Sequence, residues 1–227
     1  MACQAKMDGI HVLMKSVRER IMTLVEYFEQ YMPLKAGIKA FIEERTHLKN
    51  FRKGEILFEN PSEIRPDGEE TIFYVESGIV RVFYAQVSDR PTMRFLTETT
   101  FSSTIEYAMF EDIPLYQWEA LTDTQVCYIN YRDFEDALLQ FPELEKLLRT
   151  ELMRMLLEYQ KIAYQNRTLS ATERFHILME ERPEVILHCK GTHIASYLGI
   201  TPQALSKLRS ARMRMNLSEP GVIYPKL

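Results

Sequence analysis

The stretch that most constrains the fold lies near the carboxyl end, where two short helical patterns meet at a glycine. The first pattern places Ile194 and Leu198 on one face, and Gly199 can then adopt the positive φ that ends a helix sharply. Thr201 is a good N-cap, and Pro202 suits the first position of the next helix because a missing N–H costs nothing there. Helix, glycine turn and helix in this order predict a helix-turn-helix.

The outward face of the second helix carries an amide, hydroxyls and cations, and no acidic residue occurs between Leu205 and Arg214. In a major groove an amide can read adenine, Lys or Arg can read guanine, and the other donors can hold phosphates. A solvated basic helix end, favoured by the helix dipole, is the alternative. The spacing favours double-stranded DNA as the partner. The predicted DNA-binding residues are Thr201, Pro202, Gln203, Ser206, Lys207, Arg209 and Arg212, with Gln203 and Lys207 on bases.

Length and composition limit the classes of protein to which this chain can belong. The 227 residues have room for one large or two modest domains, and 46% hydrophobic with 26% charged residues is typical of a globular chain. No uncharged apolar run approaches the roughly 18 residues of a membrane span, and the amino terminus lacks the apolar core of a signal peptide. We therefore expect a cytoplasmic protein without a membrane partner.

The cysteines and histidines do not form a metal-binding pattern. Cys3, Cys127 and Cys189 include no Cys-x-x-Cys pair, and none of the five histidines is spaced four residues from another. We predict no metal site, no cofactor and no enzymatic activity.

Charge is distributed unevenly along the chain. From residue 168 onward eight Lys or Arg face five Glu, whereas the first 167 residues carry twenty bases and twenty-seven acids. This asymmetry agrees with a small nucleic-acid-binding domain attached to a larger acidic one.

The middle of the chain has the pattern of an antiparallel β domain. Residues 1 to about 48 are predicted to be helical, with a break at Pro33, and from Phe51 the apolar period changes to two. Ser77-Gly78 is predicted to form a hairpin turn in which Gly78 takes the strained position. Short strands about every ten residues predict a sandwich or barrel. The predicted strands are 56–58, 71–75, 79–84, 93–96, 118–121 and 124–129, and none contains histidine.

A long helix is predicted from Glu143 to Gln165. Its apolar residues step by four and three, which is the seam of a left-handed coiled coil and predicts pairing with a second copy. Packing of this stripe inside its own chain is the alternative. The predicted dimer-interface residues are Leu148, Leu152, Met155, Tyr159 and Ile162. Ser170 and Glu173 then form a capping box that starts the next helix.

Four motifs, in this order, resemble those of the Crp/Fnr superfamily of bacterial transcription regulators. They are Phe51-x-Lys53-Gly54-Glu55-x-Leu57-Phe58, Phe73-Tyr74-Val75-Glu76-Ser77-Gly78, Glu119-Ala120-Leu121-Thr122-Asp123-Thr124 and the terminal helix-turn-helix, and the likeness covers roughly residues 24–213. The resemblance implies an α+β chain with N-terminal helices, a cyclic-nucleotide-binding-like antiparallel β-roll (jelly roll), a long dimerisation helix and a winged-helix DNA-binding domain. It also implies homodimers on two-fold operators, with RNA polymerase as a further candidate partner.

The expected domains are an N-terminal extension (1–20), the β-roll sensor (21–141), the dimerisation helix (142–167) and the helix-turn-helix domain (168–227). Cyclic-nucleotide binders of the family carry a Gly-Glu pair and an Arg-Ser or Arg-Thr pair, where this chain has Phe101-Ser102-Ser103 and Ile113-Pro114-Leu115-Tyr116. A cyclic phosphate buried without its Arg is costly, so we expect no tight cyclic AMP binding. An effector pocket is expected at Phe101, Ser102, Ser103, Tyr107, Tyr116 and Trp118, empty or filled by an unknown ligand.

Two other functions compete with a DNA-binding regulator. β-rolls also host cupin-like metalloenzymes, but these need converging histidines, which the predicted strands lack. A ligand-binding module that regulates a partner protein would leave the helix-turn-helix unexplained.

Overall fold

The computed structural model describes residues 21–58, 70–104 and 116–215. Its helices are α1 (Leu24–Glu29), α2 (Ala36–Arg45), α3 (Tyr131–Gln140), α4 (Leu144–Thr168), α5 (Ala171–Glu181), α6 (Pro183–His188), α7 (Gly191–Tyr197) and α8 (Pro202–Met215). Its strands are β1 (His47–Phe51), β2 (Ile56–Leu57), β3 (Thr71–Ser77), β4 (Val80–Tyr84), β5 (Thr92–Leu96), β6 (Thr100–Ser103), β7 (Tyr116–Ala120) and β8 (Thr124–Asn130). Helices, strands and helices in succession confirm the predicted α+β class.

Two antiparallel sheets of four strands each form the β-roll. The first sheet has the order β1-β8-β3-β6 and the second the order β2-β7-β4-β5. Side chains alternate across each strand, so that Phe73 and Val75 of β3 face the space between the sheets while Tyr74 faces away. Apolar residues from both inner faces fill that space, which confirms the predicted roll.

Each sheet is also covered on its outer face. Tyr74 and Cys127 of the first sheet pack in a cluster with α1, α2, α3 and the start of α4. On the other side, Ile79, Phe95 and Leu121 pack in a cluster with residues of α5 to α8. Burial on both faces explains why β3 and β4 are rich in apolar residues without strict alternation.

The structure corrects the predicted strand list in two places. β1 begins at His47, within the stretch predicted to be helical, and β6 was not predicted. Of the β1 residues only Phe51 is buried, so pairing with β8 rather than an apolar pattern defines this strand. His47 is exposed and lies against Tyr128, with ring centroids 5.4 Å apart. The predicted strands contain no histidine, and the unpredicted β1 adds one at an exposed position.

The predicted hairpin at Ser77-Gly78 is also wrong. β3 lies in the first sheet and β4 in the second, so the turn carries the chain from one sheet to the other. Gly78 does take the predicted positive φ, at 97°. A Cβ at this position would lie 2.5 Å from Thr124 Oγ1 and 2.7 Å from the Asp123 carbonyl oxygen, so the crossing requires glycine.

The boundary between α4 and α5 follows the predicted local signals. Ser170 Oγ accepts a hydrogen bond from the Glu173 N–H, and the Glu173 carboxylate accepts one from the Ser170 N–H. This confirms the capping box. The Ser170 hydroxyl, which donates to the Glu173 carboxylate at 2.7 Å, and then the Ser170 N–H lower the pKa of Glu173. The predicted N-terminal extension, residues 1–20, and the last part of the predicted helix-turn-helix domain, residues 216–227, lie outside the described residues.

Replacing Gly78 with alanine should destabilise the protein more than the same change at Gly54. Both glycines have positive φ, which costs an alanine about 1–2 kcal/mol. Only at Gly78 does the added Cβ meet fixed backbone, which adds about 1–3 kcal/mol of overpacking, whereas nothing lies within 4 Å of a Cβ at Gly54. Urea unfolding of both variants measures the difference, and equal losses would contradict this account of the crossing.

Candidate nucleic-acid interface

The turn of the helix-turn-helix is built by hydrogen bonds that end α7. Gly199 has a φ of 65°, its N–H donates to the Ser196 carbonyl at 3.1 Å, and the Ile200 N–H donates to the Ala195 carbonyl at 3.0 Å. This pair of bonds is the Schellman motif, which satisfies carbonyls that the last turn of a helix leaves free. Gly199 therefore sets the sharp turn, as its position in the sequence predicts.

The start of α8 is fixed by Thr201 and Pro202. The Thr201 hydroxyl accepts a hydrogen bond from the Ala204 N–H at 3.2 Å, and its carbonyl accepts one from the Leu205 N–H at 3.0 Å. Pro202 occupies the first position of the helix. Both observations confirm the predicted helix start.

Packing determines which side of α8 faces solvent. Leu205 is only 2% exposed and packs in a cluster with Ile194 and Leu198 of the α7 segment, with Leu208 partly buried against it. The residues on the opposite side are exposed: Thr201, Pro202, Gln203, Ser206 and Lys207. Five of the seven predicted DNA-binding residues therefore share one accessible surface.

The other two predicted residues, Arg209 and Arg212, cannot be assigned to this exposed surface in the same way. Arg209 is partly buried, and its Nη1 lies 3.6 Å from where a Cβ on Gly191 would be, so the guanidinium lies over the start of α7. Arg212 belongs to α8, but its side chain is outside the described part of the chain.

The helix-turn-helix contacts the roll through α7. The Thr92 N–H of β5 donates to Ser196 Oγ at 2.9 Å, and Phe95 packs against the Tyr197 ring with centroids 5.3 Å apart. Arg182, between α5 and α6, donates to the Phe95 carbonyl and pairs with Glu158. The contacts with β5 were not predicted, because no local pattern signals a pairing between residues about 90–100 positions apart.

No protein-family model and no curated protein matches this sequence. Solved structures do match its fold. A mutant of CooA from Carboxydothermus hydrogenoformans has a TM-score of 0.60 at 20% identity over 85% of each chain. The c-di-GMP responsive global regulator CLP of Xanthomonas campestris has a TM-score of 0.57 at 17% identity over 85% of this chain and 100% of its own.

A third match comes from Eubacterium rectale, and its name assigns it to the crp/fnr family. Its TM-score is 0.59 at 15% identity, over 86% of this chain and 91% of its own. The chain has the Crp/Fnr fold. The predicted resemblance is thereby confirmed at the level of fold, from the N-terminal helices to the helix-turn-helix.

Within this Crp/Fnr fold, α4 buries two polar residues and exposes several large apolar ones. Its buried residues include Glu151 and Gln165, together with Leu144 and Leu147 near its start. Glu151 accepts a hydrogen bond from the Tyr27 hydroxyl at 2.6 Å, and burial, followed by this bond, raises the pKa of Tyr27. Six large apolar or aromatic residues of α4 are instead exposed: Leu152, Met153, Leu156, Leu157, Tyr159 and Tyr164.

This exposed apolar face overlaps only partly with the predicted seam. Leu152 and Tyr159 are 55% and 38% exposed, whereas Leu148, Met155 and Ile162 are partly buried. The heptad pattern thus predicted the helix and an apolar face on it. The exposed apolar face is rotated around the helix by about one residue position from the predicted seam.

The predicted effector residues do not all line one cavity. Phe101, Ser102 and Ser103 line an apolar cavity of about 330 Å³ between the first sheet and helices α1 to α4. Trp118 lies in the second sheet, donates to Ser102 Oγ at 3.0 Å, and packs inside the roll. Tyr116 lies beside it on β7, and Tyr107 is outside the described residues.

Two absences hold for the part of the chain that the structure describes. No group of three or more His, Cys, Asp or Glu is placed to hold a metal ion. No helix there is long and apolar enough to cross a membrane.

Stability should fall with decreasing pH because of His193. Burial, followed by the nearby charges of Arg81 and Lys190, lowers the pKa of His193 from 6.5 to about 4. Between these values the unfolded chain binds a proton that the folded chain does not, so the free energy of unfolding rises with pH in this window. The slope stays below about 1.4 kcal/mol per pH unit, which is the limit for the uptake of a single proton.

Urea unfolding at pH 7 and pH 5 tests this, and His193→Gln should reduce the difference between the two values. His188→Gln removes an exposed histidine of the same domain and is the matched control. An unchanged pH dependence in His193→Gln would contradict the assignment.

Proposed function

We propose that this protein is a sequence-specific DNA-binding transcription regulator that acts as a homodimer. The observation that carries the proposal is the exposed side of α8, where Gln203, Ser206 and Lys207 project from a helix that Leu205 anchors to α7. The resemblance to a global regulator and to a chain of the crp/fnr family supports it.

The roles of the α8 residues follow from their chemistry. Gln203 and Lys207 are four positions apart, so they project from the same side of the helix and can reach adjacent base edges. Thr201, Pro202 and Ser206 surround the exposed helix start, where free N–H groups and the helix dipole favour a phosphate. Arg209 and Arg212 would add backbone phosphate contacts one turn further on.

The apolar face of α4 supports the homodimer. Solvent contact with six large apolar or aromatic side chains on one helix is unfavourable, and a second copy of α4 would remove them from water. At 25 residues the helix is about 37 Å long, enough for a two-fold interface. Such a dimer would present two α8 helices to half-sites about 34 Å apart.

We further propose that cyclic AMP is not the effector. The Gly-Glu and Arg-Ser pairs of cyclic-nucleotide binders are absent from the corresponding sequence, and the space between the sheets is filled by Phe58, Phe73 and Trp118. The expected cytoplasmic location and contact with RNA polymerase belong to the same proposal, as consequences of regulating transcription.

Substitutions on α8 should separate base recognition from phosphate binding. After a binding site is selected from random duplexes, Lys207→Ala should lose about 1–3 kcal/mol of discrimination against other sequences. Arg212→Ala should weaken binding to all duplexes alike and reduce the slope of log affinity against log salt by about 0.9. Fluorescence anisotropy titrations at several salt concentrations measure both effects.

Lys146→Ala is the matched control for this experiment, since Lys146 is an exposed lysine on α4, remote from α8 in the sequence. It should leave affinity and specificity unchanged. The proposal fails if the wild-type protein selects no duplex at low salt, or if Lys207→Ala keeps full discrimination.

Leu156→Glu should dissociate the dimer. Leu156 is 50% exposed in the protomer, so the change does little to its own packing. A two-fold interface loses the leucine twice, at about 1.5–3 kcal/mol each, which predicts a dissociation constant at least ~100-fold higher. Sedimentation equilibrium measures this constant.

Leu139→Glu is the matched control, because Leu139 is an exposed leucine on α3, 81% accessible and away from α4. It should not change self-association. A wild-type protein that is monomeric at micromolar concentration would refute the homodimer.

A further inference from the structure

A cleft between the roll, the long helix and the helix-turn-helix domain has no role in the proposed DNA contacts, although one of its lining residues, Leu157, also belongs to the exposed apolar face of α4. It has a volume of about 340 Å³ and is lined by residues of β5, α4 and α5. It shares no lining residue with the apolar cavity on the first sheet, and α8 does not contribute to it.

The cleft carries an excess of positive charge. Five cationic side chains line it, namely Arg94, Arg154, Lys161, Arg174 and Arg182, against two carboxylates, Glu158 and Glu181. Three of the cations have carboxylate partners: Arg154 pairs with Glu151, Lys161 with Glu181 and Arg182 with Glu158. Among the described residues, Arg94 and Arg174 have none.

Arg94 is the more constrained of these two arginines. It is 3% exposed, and its Nε and Nη1 are buried without a hydrogen-bond partner in the described part of the chain. Its Nη2 is 3.5 Å from the Phe101 carbonyl oxygen, and its guanidinium lies 5.2 Å from the centre of the Tyr159 ring. A cation–π contact and one long hydrogen bond do not offset the burial of a full positive charge.

Arg174, which lines the cleft from α5, also lacks a carboxylate partner among the described residues. Its Nη1 donates to the Asn166 carbonyl at 3.2 Å and its Nη2 to the Leu198 carbonyl at 2.8 Å. Its Nε is buried and, within the described ranges, has no partner. Two guanidinium groups, each with at least one N–H that lacks a partner among the described residues, therefore line one cleft, whose own carboxylates Glu158 and Glu181 pair with other cations.

We propose that this cleft binds a small phosphate monoester, whose phosphate group is held by Arg94 and Arg174. A phosphate monoester carries close to two negative charges at neutral pH and three acceptor oxygens, which matches two unpaired guanidinium groups. Arginine forks bind phosphate in the bidentate geometry that such donors favour.

The rest of the cleft suits the organic part of such a ligand. Its walls include the apolar or aromatic residues Phe95, Leu157, Ile162, Ile177, Leu178 and Tyr197. A volume of about 340 Å³ falls within the range of small-molecule sites, roughly 300–1,000 Å³. The cleft therefore has room for more than an inorganic anion.

Binding there would connect parts of the chain that are distant in sequence. Arg94 belongs to β5 of the roll and Arg174 to α5, the first helix after the capping box at Ser170. A phosphate group held by both would fix the helix-turn-helix domain on the roll. This inference does not depend on DNA binding by α8.

Equilibrium dialysis of the full-length protein against radiolabelled inorganic phosphate, at constant ionic strength, tests the site. The wild-type protein should bind about one phosphate per chain. Arg94→Met and Arg174→Met should each lower the affinity at least about tenfold, since each removes charged hydrogen bonds. Phenyl phosphate should compete at lower concentration than inorganic phosphate because it also reaches the apolar wall.

Arg149→Met is the matched control, because Arg149 is an exposed arginine on α4 that does not line the cleft. It should retain wild-type phosphate affinity. The absence of saturable binding, or unchanged binding by Arg94→Met, would overturn the proposal.

Thermal unfolding in phosphate-free buffer separates this site from a purely structural role of Arg94. Without ligand, Arg94→Met removes a buried cation that lacks a counter-charge, so its melting temperature should equal or exceed that of the wild type. At ten times the wild-type dissociation constant, phosphate should raise the melting temperature of the wild type by about 3–6 °C and that of Arg94→Met by less than about 2 °C. A variant that is destabilised or unfolded without phosphate would show that Arg94 has a protein partner, and the proposal would be abandoned.

Discussion

Burial of apolar surface between the second sheet and the C-terminal helices is the interaction on which the rest of this structure depends. Ile79, Phe95 and Leu121 of the roll lie in one cluster with residues of α5 to α8. Burial of apolar side chains contributes roughly 25 cal/mol per Å², so this contact is strong without being directional. Hydrogen bonds, such as the one from the Thr92 N–H to Ser196 Oγ, then fix the orientation of the C-terminal helices on the sheet. The side of α8 that contacts solvent, and hence the proposed DNA contacts, follows from this packing.

The long helix α4 shows how the same chain can leave apolar residues outside. Its inward side is anchored by polar contacts, as when Glu151 accepts from Tyr27 and pairs with Arg154. Those bonds satisfy polar groups that burial would otherwise penalise. Leucines on the other side remain exposed in the protomer, which is why a second copy is the proposed partner. Arg154 of α4 also donates to the Thr99 carbonyl of the roll, and α4 lines the cleft that contains Arg94.

Prediction from the sequence succeeded where a signal is local. Gly199 with Thr201-Pro202 specified the turn, and Ser170 with Glu173 specified the start of α5, because capping bonds join residues only three to five positions apart. It failed where pairing partners are distant. β1 is defined by its register with β8, about 80 positions along the chain, and Ser77-Gly78 was mistaken for a hairpin because local sequence does not say which sheet the next strand joins.

The sequence by itself determined most of the helices and strands, the helix-turn-helix and the polar chemistry of Gln203 and Lys207, since periodicity and capping depend on neighbouring residues. Only the tertiary structure decided which apolar residues stay exposed and which charges lose their partners. No local pattern in the sequence distinguishes Leu156 or Arg94. In the structure Leu156 is exposed, and Arg94 is buried without a carboxylate partner among the described residues. Burial and charge pairing arise from contacts between distant segments, and these exist only once the sheets and helices have packed together.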